Sequence, residues 1–319
     1  MQFSSLAGDY LRHAAAYSGY SPNTVSQYDT TYRQFAAFLL ASGRTDDLRH
    51  FTDEVVQGFT DWLLEHKVST NTVRHRLTAL SSLAQHAMRR SRDGRGKPRM
   101  TVNPTKSFDW PQRQVPETRF LYAAELRAFL ELAVPMHLGV ARAMFVETGL
   151  RVSELIRANI EDVVEGPDGR AALSVTVKGR GRREERVHVP LSSGSVALLK
   201  DWFLHRTMPD PGEPLLVTSH GKRWTRAGIT EAVRRLAERA GIRRIVVRPH
   251  VLRHTANVVA RSAGLDPYVR SKLLNHRSPA SLERYEHLLS AELHEARDRA
   301  VDGLARYLRS PEKLLGTEN

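Results

Sequence analysis

Hydrophobic residues recur at alternating steps of three and four through the N-terminal third of the chain, which is the period of amphipathic α-helices. Ser21 and Pro22 offer a capping hydroxyl and then a residue whose missing N–H costs nothing at a helix start. The stripes are Tyr10, Ala14 and Tyr17; Val25, Tyr28, Tyr32, Phe35 and Leu39; Val55, Phe59 and Trp62; and Val73, Leu77, Leu80, Ala84 and Ala87. The pattern therefore predicts four helices in this region.

The hydrophobic period changes in the second half of the chain. Helical patterns at 121–132 and 140–156 give way to strict alternation at Leu173, Val175 and Val177, and again at Val187 and Val189. The turn-rich stretch KGRGRREE separates the two alternating runs, which predicts a β-hairpin with a basic tip. Helical patterns then resume at Ser195 and end with the stripe Leu293, Ala296, Ala300, Leu304 and Leu308. The expected fold is mainly α (α+β), with an all-α domain followed by a mainly helical domain that carries a small antiparallel sheet.

A break in the pattern marks the boundary between these domains. The run RRSRDGRGKPR at 89–99 holds six basic residues against one acid, and Pro104, Pro111 and Pro116 follow it. Proline and glycine at this density cannot continue a helix. We therefore expect an N-terminal domain at 1–92, a basic, proline-rich linker at 93–116 and a C-terminal domain at 117–319.

Charge indicates the kind of partner. Of the 319 residues, 48 are Lys or Arg and 35 are Asp or Glu, which gives a formal net charge of +13. A balance this basic favours a phosphate-rich partner or an acidic surface over a neutral small molecule. The hydrophobic share of 41% is that of a folded protein and argues against global disorder.

Some classes of protein are excluded by what the sequence lacks. With no cysteine, the chain can have no disulfide, thiolate nucleophile, iron–sulfur cluster or cysteine-containing zinc finger. The N-terminus has no basic segment followed by an apolar one, and no stretch approaches about 18 consecutive apolar residues. We expect a cytoplasmic protein with no membrane partner.

Four short strings in the second half carry the candidate chemistry: TGLRVSEL at 148–155, VTVKGRGRR at 175–183, RPHVLRHT at 248–255 and LLNHRSPASLERYEH at 273–287. Their order is an arginine, a lysine in a hairpin, an H-x-x-R pair, and a histidine followed nine residues later by a tyrosine. This order resembles that of the tyrosine recombinase family, also called the phage integrase family. The resemblance covers the whole C-terminal domain, and the four predicted N-terminal helices resemble the core-binding domain of the family.

The resemblance implies a clamp around duplex DNA and a site-specific recombinase that cuts and rejoins DNA through a 3′-phosphotyrosyl intermediate. It implies that Tyr285 is the nucleophile and that Arg151 and Arg253 hold the scissile phosphate. Lys178 would protonate the leaving 5′-oxygen, and His250 would accept the proton of the tyrosine. The family needs no cofactor, metal or ATP for this reaction.

Three further residues of the strings have supporting roles by the same resemblance. His276 would donate a hydrogen bond to the phosphate, and Glu154 would orient the site. His250 and His254 are four residues apart, which is also a zinc-ligand spacing, but Val251 stands where H-E-x-x-H has glutamate and no third ligand is evident. We therefore expect His254 to have a supporting role and predict no metal site.

The residue types suit the chemistry independently of the resemblance. A phosphodiester under attack gains negative charge on its non-bridging oxygens, and a guanidinium fork can meet two such oxygens while staying charged. The phenol of tyrosine has a pKa of about 10, so near neutral pH it needs a nearby base or cation to react. Near a tyrosine, a histidine can supply the base and an arginine the cation.

The basic surface predicts further contacts with DNA, most of them to phosphates. The expected contact residues are Arg89, Arg90, Arg92, Arg95, Lys97 and Arg99 in the linker region and Arg180, Arg182 and Arg183 at the hairpin tip. The resemblance implies a homo-tetramer on two DNA sites, associated with the nucleoid. The C-terminal stripe would either pack on its own domain or dock on a neighbouring protomer.

Several alternatives remain open from the sequence. A type IB topoisomerase would use the same chemistry on one duplex, and a non-catalytic DNA-binding protein would use the basic surface alone. A metal-dependent nuclease is a third possibility. Within the family, LERYEH around Tyr285 differs from the sequence common in chromosomal Xer recombinases, so a mobile-element integrase without an arm-binding domain is as good a match as an Xer-like enzyme. Integration, excision and dimer resolution all fit the motifs.

Overall fold

The computed structural model describes residues 1–114, 118–166, 168–178, 184–274 and 290–309. The chain divides into two units, Met1–Pro116 and Glu117–Asn319. No helix in these described ranges is both long and apolar enough to cross a membrane.

The four helices predicted in the first unit are present. They are α1 (Phe3–Ala16), α2 (Pro22–Ala41), α3 (Asp53–Glu65) and α4 (Thr70–Arg90), with a short 3₁₀ helix at Leu48–His50. The hydroxyls of Ser21, Thr52 and Ser69 each accept a hydrogen bond from a backbone N–H in the first turn of α2, α3 and α4. Such caps satisfy amides that have no partner within the helix.

Aromatic rings fill the core between these helices. Phe35 lies in contact with Phe3, Phe51 and Phe59, at centroid distances of 4.9, 5.5 and 5.2 Å. Most of the predicted stripe residues are buried in this core, whereas Val25, Tyr28 and Trp62 are half-buried. Tyr17 follows the end of α1 and is 81% exposed.

The basic segment after α4 is folded onto the first unit. The Asp93 carboxylate accepts hydrogen bonds from the backbone amides of Arg95 and Lys97, and the Arg99 amide bonds back to Ser91. These contacts close a loop where we expected a linker. Farther on, the buried Asn103 donates to Ser81, and the hydrophobic residues Met100, Phe108 and Trp110 pack against the first core. Apolar side chains spaced without a helical period gave no signal of this packing.

The second unit contains the remaining helices and one sheet. The helices are α5 (Ala123–Glu131), α6 (Met136–Thr148), α7 (Val152–Leu155), α8 (Ser193–His205), α9 (Arg226–Arg239), α10 (Pro249–Ser262), α11 (Pro267–Leu273) and α12 (Ser290–Arg309), with a 3₁₀ helix at Ile160–Asp162. The strands are β1 (Val163–Glu165), β2 (Ala171–Lys178) and β3 (Glu184–Pro190), antiparallel in the order β1-β2-β3. The mainly helical fold with a small antiparallel sheet is confirmed.

The predicted hairpin is formed by β2 and β3. Val175 lies opposite Val187 and Leu173 opposite Val189, so the alternating residues meet across the strands on one buried face. Strand β1 adds a third member that the sequence did not reveal, because three residues are too few to show an alternating pattern.

The single helical pattern at 140–156 is two helices. Gly149 ends α6 with a left-handed backbone at φ 59°, and α7 starts three residues later. A Cβ at this position would lie 2.5 Å from Leu274 and 3.2 Å from Ala256. Only glycine fits both the conformation and the close contact, so the helix must break here.

The C-terminal stripe packs on its own unit in the described part of the chain. Ala296, Ala300 and Tyr307 of α12 are buried, and the Tyr307 hydroxyl donates to the Leu121 carbonyl at 2.9 Å. Gly303 lets the helix lie directly on the end of α10, since a Cβ there would come within 2.3 Å of Ala263.

We expect Gly149→Ala to lower the free energy of unfolding more than Gly241→Ala does. Both positions have left-handed backbones, at φ 59° and 78°, so alanine costs about 1–2 kcal/mol at each. Nothing lies within 4 Å of a Cβ at Gly241, whereas the clash with Leu274 should add about 1–3 kcal/mol at Gly149. Urea denaturation of the two variants measures the difference, and equal losses would contradict a tightly packed turn.

Candidate active site

The turn between α6 and α7 positions Arg151. Arg151 is the N-cap residue of α7, and its backbone amide donates to Glu154 Oε2 at 2.9 Å. Its guanidinium donates through Nη1 to the other oxygen of the same carboxylate at 2.7 Å. The side chain of Glu154 is 6% exposed and that of Arg151 is 43% exposed. A buried carboxylate thus fixes one edge of a guanidinium that still faces solvent.

Arg253 reaches the same turn from α10. Its side chain is buried, and Nη1 donates to the Gly149 carbonyl at 2.6 Å. Burial lowers the pKa of Arg253 to about 10, with a further lowering by the charge of Arg151 and an opposing effect of Glu154. The group therefore stays charged at neutral pH, and the structure brings the two predicted clamp arginines to one turn.

His250 and His254 lie one turn apart on α10. Their ring centroids are 4.3 Å apart in an edge-to-face arrangement. Burial lowers the pKa of His250, and the charges of Arg253 and Arg151 lower it further. The pKa of His254 is lowered by burial, His250 and Arg253. Both imidazoles are therefore mostly neutral at pH 7, and a neutral imidazole can accept a proton.

In the ranges that the structure describes, no cluster of three or more His, Cys, Asp or Glu side chains could hold a metal ion. The positive charges nearest the histidine pair are those of the two arginines that lower the pKa of His250. Positive charge in this region favours an anionic ligand such as phosphate over a metal cation.

The hairpin places the backbone of Lys178 at the last residue of β2, opposite Glu184. Arg180, Arg182 and Arg183 lie at 179–183, outside the described residues, as do His276 and Tyr285 at 275–289. Two residues from the Lys178–Glu184 pair, Arg186 of β3 forms an ion pair with Asp162 in the 3₁₀ helix before β1. No local pattern indicates this pair, because the two residues lie 24 positions apart on elements that meet only in the folded chain.

The basic loop of the first unit presents its charges to solvent. The residues Arg89, Arg90, Arg92, Arg95, Lys97 and Arg99 are all exposed. The one acid of the loop, Asp93, is directed to two backbone amides, which fixes the loop rather than pairing with its cations. The result is a compact basic surface at the end of α4.

Comparison with known proteins adds to this geometry. A family model described as "Phage integrase family" matches residues 119–292, and one described as "Phage integrase, N-terminal SAM-like domain" matches residues 8–91. The chain is 30% identical over 296 residues to "Tyrosine recombinase XerC" of Roseiflexus castenholzii, covering 88% of this chain and 87% of the relative. It is 24% identical over 297 residues to "Tyrosine recombinase XerD" of Oceanobacillus iheyensis, covering 89% and 94%.

Two solved structures show the same fold. A XerH site-specific recombinase bound to a palindromic difH substrate in a post-cleavage complex has a TM-score of 0.66 at 19% identity, covering 95% of this chain and 93% of that one. A lambda integrase tetramer bound to a Holliday junction has a TM-score of 0.67 at 16% identity, covering 88% and 76%.

We expect Arg253→Gln to raise the pKa of His250, because a nearby positive charge that disfavours the imidazolium is removed. Burial, the larger cause, remains, so the pKa should stay below its ordinary value of 6.5. NMR titration of the imidazole signals measures the change. Arg261→Gln on the same helix is the control, since 11 residues of helix place it about 16 Å away. A His250 pKa that is unchanged or lower in Arg253→Gln would contradict the arrangement.

Proposed function

The chain belongs to the phage integrase family of tyrosine recombinases, and we propose that it acts as a site-specific DNA recombinase that cuts and rejoins DNA through a 3′-phosphotyrosyl intermediate. The observation that carries the proposal is the joint placement of Arg151 and Arg253 at one turn, each fixed by a buried partner. The relatives are recombinases, so a topoisomerase or a non-catalytic DNA-binding protein is not favoured.

The two guanidinium groups bind the non-bridging oxygens of the scissile phosphate. Negative charge on these oxygens grows as the phosphorus is attacked, so fixed cations stabilise the transition state more than the ground state. Because Glu154 and the Gly149 carbonyl already hold the two forks, little reorganisation is needed at the moment of reaction.

Tyr285 attacks the phosphorus, and its phenolic proton passes to neutral His250. The bond to the 5′-oxygen breaks, and Lys178 donates the proton that this oxygen needs to leave as a hydroxyl. His276 donates a further hydrogen bond to the phosphate, and His254 packs behind His250. The phosphotyrosyl ester retains the bond energy for rejoining, so the step consumes no ATP and needs no metal.

The two units divide the work of binding. The helices at 1–92 form a core-binding domain and 117–319 the catalytic domain, and the basic segment at 93–116 contacts the DNA backbone as well. Phosphates are contacted by residues at the end of the first domain (Arg89, Arg90 and Arg92), in this segment (Arg95, Lys97 and Arg99) and at the hairpin tip (Arg180, Arg182 and Arg183). Every such contact adds to the loss of affinity as salt rises.

Recombination joins two DNA sites, and a homo-tetramer would supply one catalytic unit for each strand. The tetrameric lambda integrase of the same fold supports this assembly. The C-terminal helix is a candidate surface between protomers, although its apolar side chains pack on their own unit in the described residues. The enzyme would act on DNA in the cytoplasm, at the nucleoid.

Tyr285→Phe should bind a nicked suicide substrate like the unmodified protein yet form no covalent adduct with it. Phenylalanine keeps the ring but lacks the oxygen that would join the phosphorus. The adduct is scored by denaturing electrophoresis in chelator and without ATP, with Tyr122→Phe in the same unit as the control. An adduct that persisted in Tyr285→Phe would rule out this tyrosine, and dependence on a metal would favour a nuclease.

Lys178→Ala should slow cleavage of ordinary DNA about 10²–10⁴-fold, the usual contribution of a general acid. Cleavage should recover on a substrate with sulfur in place of the bridging 5′-oxygen, because a thiolate leaves without a proton. Arg180→Ala is the matched control, since loss of a phosphate contact would weaken binding to both substrates alike. Failure of the sulfur substrate to restore cleavage would show that Lys178 is not the acid.

A further inference from the structure

One arginine lies on the buried face of the C-terminal helix. Arg297 of α12 is only 2% exposed, although its neighbours along that face are Leu293, Ala296, Ala300 and Leu304. Burying a charged side chain is costly unless its hydrogen-bonding groups are satisfied. A cation in the middle of an otherwise apolar stripe therefore needs an explanation.

The guanidinium of Arg297 donates to three backbone carbonyls. Nε donates to Pro190 at 3.2 Å, Nη2 to Leu273 at 3.4 Å, and Nη1 to Glu147. Pro190 is the last residue of β3, Leu273 the last of α11, and Glu147 lies in the last turn of α6. One side chain thus joins the ends of three elements that are distant in sequence.

Two carboxylates near Arg297 oppose the effect of burial on its pKa. Burial lowers its pKa, while the carboxylates of Glu147 and Asp298 oppose that effect. The Glu147 carboxylate is itself held by the Ser192 amide at 2.9 Å and by the Ser195 hydroxyl at the start of α8. The guanidinium of Arg297 therefore lies beside a carboxylate that is itself held in place by hydrogen bonds.

Each of the three elements leads to a proposed reacting group. The chain runs from Glu147 through the Gly149 turn to Arg151, and β3 pairs with the strand that ends at Lys178. Leu273 precedes His276 by three residues and Tyr285 by twelve. We propose that Arg297 is a positioning residue, through which the seating of α12 sets how the ends of α6, β3 and α11 lie relative to one another, and with them the placement of Arg151; this inference rests on the proposed function.

Other contacts make the seat of α12 well defined. His294 is buried beside Asp168, with Nδ1 2.8 Å from its carboxylate, and its Nε2 lies 2.9 Å from the Ala171 carbonyl at the start of β2. Arg170 pairs with Asp298 at 2.5 Å. These contacts fix the helix beside the base of the hairpin, and Arg297 extends that link to α6 and α11.

The test compares Arg297→Met and Arg297→Lys with Tyr307→Phe. All three changes lie on the buried face of α12, but the Tyr307 hydroxyl donates to the Leu121 carbonyl, which lies outside the three elements that Arg297 joins. Lysine keeps the cation and the stem without the planar fork that spans three acceptors. Binding of duplex DNA, single-turnover cleavage of the suicide substrate, and thermal stability are measured for each protein in parallel.

We expect Arg297→Met to slow cleavage about 100-fold, the usual effect of misplacing reacting groups by about 1 Å, with less than threefold change in DNA affinity. Arg297→Lys should be intermediate, and Tyr307→Phe should cleave within twofold of the unmodified protein at a temperature where all are folded. If Arg297→Met does not fold, Arg297→Lys alone decides. Cleavage that simply follows thermal stability across all variants would overturn the proposal.

A second readout separates this inference from the proposed function. Backbone amides at 149–155 should exchange hydrogen faster in Arg297→Lys than in Tyr307→Phe, whether or not DNA is cleaved. Unmodified protein that forms no adduct would defeat the recombinase proposal, whereas equal exchange in the two variants would defeat only the role of Arg297.

Discussion

The carboxyl end of α6 is the point on which the candidate site depends. A helix leaves its last carbonyls without partners inside the helix. Here two buried guanidinium groups act as those partners: Arg253 of α10 donates to the Gly149 carbonyl, and Arg297 of α12 donates to the Glu147 carbonyl. The negative end of the helix dipole also favours cations at this place. One helix end therefore receives charge from two other helices.

This arrangement links the fold to the chemistry through a single turn. Gly149 has no side chain, so Leu274 and Ala256 close over it and the turn cannot relax outward. Arg151 follows two residues later and is held by Glu154. In the proposed function, a phosphate that approaches this turn meets cations that the folded protein already holds in place. Fixed charges of this kind accelerate a reaction because they do not need to rearrange.

The same burial separates the protonation states of the site. Arg253 loses part of its preference for charge but remains protonated at neutral pH, whereas the pKa values of His250 and His254 fall below their ordinary value. Partial desolvation beside positive charge thus favours neutral imidazole next to charged guanidinium. The function proposed above gives phosphate binding and proton acceptance to different side chains of α10.

The sequence by itself determined the elements whose signals are local: the capped helices of the first unit, the alternating hairpin at Val175 and Val187, and the family identified from four ordered strings. These follow from periods and caps that extend over a few residues.

Only the tertiary structure decided that the basic segment closes onto the first unit, that Gly149 divides a continuous helical pattern, and that Arg297 on an apolar stripe joins three distant carbonyls. The roles of Arg151, Lys178, His250, Arg253, His276 and Tyr285 in the reaction remain predictions from the motifs. Contacts between residues far apart in sequence depend on how elements pack, and hydrophobic period carries no information about which carbonyl a buried arginine will meet.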